Sequence, residues 1–156
     1  MPKKKSAGLL LFRFNTNGEL ELFLVHPGGP FWKNKDLGAW SIPKGEFEEE
    51  EDPIKAARRE FKEETGIEVN GEFIPLNHIK QKSGKIVIAW AIEHDADEKN
   101  IQSNTFPLEW PPRSGKFIQV PEVDRANWFG IPEARQKILP AQLPLLEEVV
   151  EKVGSY

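Results

Sequence analysis

The stretch from Gly45 to Ile67, GEFEEEEDPIKAARREFKEETGI, constrains this chain more than any other. Its second half has the start, period and stop of a single helix. Asp52 is a good N-cap, because a short side-chain oxygen accepts from a free amide of the first turn. Pro53 suits the first helical position, where its missing N–H would have no partner anyway. Lys55 stands where a reciprocal capping box needs Glu or Gln, so the cap is one-sided. Gly66 supplies the left-handed residue that ends a helix. Ile54, Ala57 and Phe61 recur at helical spacing and form an apolar stripe. Glu60, Glu63 and Glu64 lie about a quarter-turn away on one face, since positions three and four apart are neighbours. One face of the helix is therefore predicted to pack on a sheet while the adjoining face lines a cleft.

Three glutamates on one face are not neutral for the helix. Glu60 and Glu64 carry like charge one turn apart, which costs roughly 0.2–0.5 kcal/mol in a bare helix. A solvated acidic face carries that cost without purpose. A hard divalent cation removes it, because Mg²⁺ and Mn²⁺ prefer carboxylate and water oxygens. The company of the glutamates favours the second reading. Written out, the stretch is G-x5-E-x7-R-E-U-x-E-E-x-G-U with U apolar, filled by Gly45, Glu51, Arg59, Glu60, Phe61, Glu63, Glu64, Gly66 and Ile67. This resembles the signature of the Nudix hydrolases. The preceding Trp40-Ser41-Ile42-Pro43-Lys44-Gly45 looks like the lead-in of many members, including diadenosine polyphosphate hydrolases.

The resemblance implies an α/β (α+β) fold, an α/β/α sandwich around a mixed sheet, and hydrolysis of a nucleoside diphosphate linked to another group. Residue by residue it implies Glu60, Glu63 and Glu64 as metal ligands, with one of Glu63 and Glu64 accepting a proton from the attacking water. Arg59 matches the arginine that orients the glutamates, its fork being suited to carboxylates. Glu51 matches an earlier glutamate that hydrogen-bonds within the motif or touches a second metal shell. The backbone carbonyl at Lys44 or Gly45 completes the metal shell, and Gly45 permits a tight loop there. Lys44 contacts phosphate or steadies a glutamate. Many members add an acid from a loop outside the motif. Glu122, six residues before Trp128, is the first candidate and Glu109 the second. Magnesium is the expected cofactor, with manganese as an alternative. Cations that neutralise the phosphate oxygens provide most of the catalysis in such chemistry.

Around the motif the chain reads as one domain, residues 1–156. Residues 6–14 and 20–26 flank Asn15-Thr16-Asn17-Gly18 and read as a β-hairpin. The lysines at 3–5 read as a solvated start. Pro27-Gly28-Gly29-Pro30 ends the second strand, and a loop to about Gly38 carries Phe31, Trp32, Lys33, Lys35 and Asp36. Residues 39–43 are short and extended. Residues 72–82 and 85–94 read as two further strands around Ser83-Gly84, with Ile86, Ile88, Trp90 and Ile92 on one core face. His78 and His94 read as structural or solvated. From Asp95 to Pro121 the chain is polar and proline-rich, a long loop with a short extended piece at 117–120. A final strand is predicted at 124–129, a helix from Pro132 to about Leu139, and a closing amphipathic helix from Leu143 to Val153.

Bulk properties exclude little but exclude it firmly. With 156 residues and no cysteine, the chain can bury a sizeable core but has no disulfide, thiol nucleophile or thiolate metal site. The net charge of −4 offers no coat for nucleic acid or membrane. The basic start is followed by too short an apolar run for a secretory signal, so a cytoplasmic location is expected. A nucleotide-sized substrate is expected, handled by a monomer or a homodimer. Base-stacking candidates are Trp32, Trp110 and Phe106; phosphate candidates are Lys33, Lys35, Arg113 and Lys116. The sole tyrosine, Tyr156, is terminal, which excludes a mid-chain tyrosine clamp. A dinucleoside polyphosphate, cleaved to a nucleoside triphosphate and a monophosphate, is the favoured substrate. A nucleoside triphosphate, ADP-ribose or another nucleotide sugar is the alternative, and RNA 5′-end processing a further one. A non-catalytic nucleotide-binding module on the same fold would be expected to lose motif glutamates, and all are kept.

Overall fold

The computed structural model describes residues 5–154. The chain runs β1 (Lys5–Phe14), β2 (Leu20–Pro27), β3 (Lys44–Glu46), α1 (Pro53–Thr65), β4 (Ile74–Pro75), β5 (Ile79–Lys80) and β6 (Ile86–Glu93). It continues through β7 (Thr105–Glu109), β8 (Phe117–Pro121), β9 (Val123–Gly130), α2 (Ile131–Lys137) and α3 (Leu143–Val153). Lys3, Lys4 and Tyr156 lie outside the described residues; Lys5 is exposed but already pairs as the first residue of β1.

The apolar run of β1 explains its central place. A strand buried on both faces reads as continuous hydrophobics rather than as an alternation. The main sheet follows the path β4–β6–β1–β2–β9, with β3 added to β1 and β5 to β6. β1 and β6 are parallel from Lys5↔Ile86 to Phe12↔Glu93, while β2, β3 and β9 join antiparallel, so the sheet is mixed. Ala7, Leu9 and Leu11 face one way with Phe23, Ala57 and Phe61 of the α1 layer. Leu10 and Phe12 face the other way with Ile131, Ala134, Leu145, Leu146 and Val149 of α2 and α3. This is a helix–sheet–helix sandwich. Phe61 is fully buried, and such a side chain contributes roughly 1.5–3 kcal/mol by leaving water.

One irregularity positions the functional region. Along one edge β1 pairs twice, with β3 at Ser6–Gly8 and with β2 at Phe12–Phe14. The segment 41–43 enters the gap, where Pro43 accepts from the Leu9 amide and Ser41 bridges to Val25. Gly8 makes room, since a Cβ there would stand 2.6 Å from the Pro43 carbonyl. Buried Gln142 fixes the segment by accepting from the Ile42 amide and donating to the Ser41 hydroxyl. Lys44 and Gly45 thereby arrive beside α1.

Four expectations need correction. The strand at 72–82 is two short pieces, β4 and β5. β6 does not have one core face; Val87, Ala89 and Ala91 are as buried as Ile88 and Ile92, because helices cover both sides of the sheet. The long loop at 95–121 contains a 3-10 turn, Glu98–Asn100, and a two-stranded ribbon of β7 and β8. The ribbon shows no apolar alternation because much of it is exposed. The helix expected from Pro132 begins one residue earlier and ends at Lys137. No helix of the described residues is long and apolar enough to cross a membrane.

Candidate metal centre and active site

α1 forms as its caps dictate. The Asp52 carboxylate accepts from the Ile54 amide at 3.2 Å, and Gly66 closes the helix at φ 78°, donating to the Lys62 carbonyl. Its buried side carries Ala56, Ala57 and Phe61; Glu60 and Glu64 lie at the margin of that side, 8% and 9% exposed. Carboxylates almost never sit so deep without a partner. Glu122 meets them from the turn between β8 and β9. One carboxylate oxygen from each of Glu60, Glu64 and Glu122 lies within 4.8 Å of the others.

The electrostatics follow from burial and proximity. Burial, then the nearby Glu122, pushes Glu64 up to about 8; the Lys44 ammonium opposes the shift. Glu60 is raised by burial and by Glu63 and Glu122, against the pull of Arg59. Glu122 is raised by burial and by Glu63. Burial drives the Lys44 ammonium the other way, below its ordinary value. Three carboxylates all displaced toward neutrality form a site that lacks positive charge. Its hard-oxygen donor set fits a divalent cation such as Mg²⁺ or Mn²⁺.

Arg59 organises the rim. Its Nε and Nη2 donate to both oxygens of Glu51 at 2.9 Å, while Nη1 donates to Glu60 at 2.8 Å and to Glu63 at 3.2 Å. Glu63 stands beside the three-carboxylate group, bonded to the same Arg59 nitrogen as Glu60. Gly45 lies against Glu60; a Cβ there would fall 1.9 Å from Glu60 Oε2. Its role is to lack a side chain rather than to turn the chain.

Several residues that sequence reasoning passed over complete the frame. Asn104 donates its amide to the Glu63 carbonyl and accepts from the Glu122 amide, both at 2.8 Å. Between His26 and Pro27 the β2–β9 register shifts, which leaves Asp124 as an extra residue. Such a bulge re-aims neighbouring side chains. Asp124 then faces the buried His26, Nδ1 at 2.9 Å, while His26 Nε2 donates to the Lys35 carbonyl at 2.6 Å. The available signal was His26 at the end of an apolar strand just before Pro27.

The remaining candidates divide. Trp110 packs edge-on against Phe31 at 5.2 Å, and Arg113 is exposed at the ribbon tip. Glu109 is occupied elsewhere, accepting from the Arg113 and Gly115 amides. Lys33 and Lys35 line a recess with Trp40, Arg125, Phe129 and Lys137, to which none of the three clustered glutamates contributes. Trp32 packs partly buried on the α2–α3 core, with Lys35 Nζ 5.2 Å over its ring. His78 is exposed, and His94 is engaged with the Asp95 carbonyl.

Comparison with known proteins agrees with this architecture. Residues 3–149 match the NUDIX domain model, and the chain belongs to the Nudix family. It is 34% identical over 70 residues to an RNA pyrophosphohydrolase of Bartonella henselae, covering 43% of this chain and 38% of that protein. It is 29% identical over 100 residues to the asymmetrical bis(5′-nucleosyl)-tetraphosphatase of Mus musculus, covering 57% of this chain and 64% of that one. The chain thus spans less than two thirds of the length of either relative. The Nudix domain of Shewanella oneidensis NrtR, solved with ADP-ribose, superposes with a TM-score of 0.68 at 18% identity, over 98% of this chain and 90% of that one. At that identity the likeness concerns the fold.

Proposed function

We propose that this chain is a magnesium-dependent Nudix hydrolase that cleaves a phosphoanhydride bond in a dinucleoside polyphosphate such as diadenosine tetraphosphate. The observation that carries this reading is the convergence of Glu60 and Glu64 of the motif helix with Glu122 from the β8–β9 turn. These residues would hold the cation, with the Gly45 backbone beside them. The bound cation would neutralise phosphate oxygens and orient the attacking water. Glu63, beside the ligand group and held by Arg59, accepts the proton of that water. Lys44, next to Glu64, offers its ammonium to a substrate phosphate. Among the motif residues, Arg59 keeps three glutamates in place through Glu51, Glu60 and Glu63.

The choice of substrate rests on the Trp40–Gly45 lead-in, on Glu122 being present in the cluster, and on the mouse tetraphosphatase among the relatives. The Bartonella relative favours an RNA 5′-triphosphate end as the second reading. A panel of diadenosine tetraphosphate, ATP, ADP-ribose and 5′-triphosphorylated RNA, with Mg²⁺ or Mn²⁺ and product identification, separates them. ATP plus AMP from the dinucleotide, lost in Glu63→Gln, is the expected result. Pyrophosphate from RNA with the dinucleotide untouched would replace it with the second reading.

A further inference from the structure

Resting on the hydrolase reading above, we infer that the β7–β8 ribbon is a specificity arm. It grips the far nucleotide of a two-ended substrate, with Trp110 and Phe31 against the base and Arg113 on a phosphate.

The ribbon stands directly on the candidate centre. The chain leaves it at Asn104, whose amide holds the Glu63 carbonyl, and returns at Glu122, whose amide is held by Asn104. Five residue pairs run from the base, Thr105↔Pro121, to the end, Glu109↔Phe117. At about 3.4 Å per residue the arm reaches some 14–17 Å. A substrate touching both ends must be extended and must have something at its far end worth holding.

Little of the ribbon is needed for the core. It forms its own two-stranded sheet, and of its ten strand residues only Val120 is buried. Val120 and Leu108 face Gly29, so that side of the ribbon looks toward the loop after β2. Phe106 and Ile118 lie on the same side, since they pair with Val120 and Leu108. They remain 37% and 41% exposed. One apolar side of the ribbon therefore runs from Val120, two residues before Glu122, toward the tip. There Trp110 meets Phe31, itself 56% exposed, at an interplanar angle of 83°. An edge-to-face pair covers at most one face between the two rings, Phe31 keeps more than half its surface in solvent, and base–aromatic stacking tolerates any base.

The tip is built to display a cation. Arg113 has φ 61°, a left-handed conformation that costs a residue with a Cβ about 1 kcal/mol. The Glu109 carboxylate enforces it by accepting from the Arg113 and Gly115 amides at 3.2 and 3.1 Å. Glycine or asparagine would serve the turn better. The guanidinium itself has no partner among the described residues. An arginine held in an unfavourable conformation with a free planar fork suits a phosphate.

Arg113→Asn tests this cleanly, because asparagine tolerates the left-handed conformation and the fold is kept. Trp110→Leu is the second variant. Steady-state kinetics with Mg²⁺ would be measured for diadenosine tetraphosphate and for ATP, which has no far nucleoside. The expected result is a KM for the dinucleotide raised about tenfold, kcat within about twofold, and a kcat/KM ratio of dinucleotide to ATP lowered about tenfold. Wild-type selectivity in both variants overturns the arm and leaves the hydrolase reading standing. A wild-type chain that hydrolyses no nucleotide at all removes both.

Discussion

The three converging carboxylates stand on two different supports. Glu60 and Glu64 project from a capped helix whose other side is packed on the sheet. Glu122 projects from the root of a ribbon that is mostly solvent-exposed. The helix is held from within, by the Asp52 and Gly66 caps and by the Arg59 fork on three glutamates. The ribbon is held at its root, by Asn104 and by the Gly28 amide donating to the Glu122 carbonyl. The contrast separates what the chemistry needs from what substrate choice needs. On the proposed reading, two of the groups that must stay in register sit on the rigid element, Glu122 sits where the two supports meet, and the groups that would meet variable substrate sit on the exposed one.

The largest expected effect follows directly. Glu64→Gln should lower kcat/KM by about 10³-fold, because it deletes charge from a buried position on the rigid helix. Glu122→Gln, on the less constrained support, should cost about 10²-fold. Both are read from initial rates at saturating Mg²⁺, with circular dichroism as a check on folding. Equal losses would mean that the ribbon root is as rigid as the helix, and the contrast between the two supports would fail.

Gly45 tests the helix side alone. Gly45→Ala puts a methyl group where Glu60 Oε2 now lies. Its backbone needs no left-handed conformation, and the displaced atom ends a side chain, so the fold should lose only a few degrees of Tm. The shifted carboxylate should cost about 10²-fold in kcat/KM, the usual consequence of a misplacement near 1 Å. A variant with unchanged rates would show that Glu60 is not needed where it stands.

The same contrast explains what could be read in advance. α1 was legible to the residue, since Asp52, Pro53 and Gly66 act through local rules and the apolar stripe has a clear period. The members of the acidic cluster were legible one by one, Glu60 and Glu64 from the motif and Glu122 as the first candidate outside it, but not their meeting at one point. Helical spacing sets Glu63 beside its neighbours, but not which of them Arg59 holds: its fork reaches Glu60 and Glu63 within the helix and Glu51 eight residues before it. Of the ribbon, β8 was legible as the extended piece at 117–120, but its partner β7 was not, because Pro107 argues against a strand and the exposed residues show no alternation. His26 and Gln142 escaped notice for another reason. Each is a single buried polar residue whose partners, Asp124 and the segment 41–42, come from about a hundred residues away.

The smallest expected effect concerns stability rather than rate, and it isolates the cluster from everything else. A carboxyl raised from 4.5 to about 8, as Glu64 is, binds its proton in the folded chain at pH values where the unfolded chain has lost it. Protonation then favours folding, fully below pH 4.5, and the contribution disappears as pH rises through about 8. Glu60 and Glu122, also raised, act in the same direction. Carboxylates held low by partners, such as Glu51 with Arg59, lose their contribution only in more acidic solution. In chelator the melting temperature of the wild type should therefore fall between pH 5.5 and 8, by an amount on the order of 5 °C. Added Mg²⁺ should restore most of it at pH 8 and little at pH 5.5, because the cation competes with the same protons. Glu64→Gln should flatten both dependences, while Arg113→Asn at the ribbon tip should leave them as in the wild type. If the tip variant flattened them as well, the arm and the cluster would be one coupled unit, and the division of labour drawn above would be wrong.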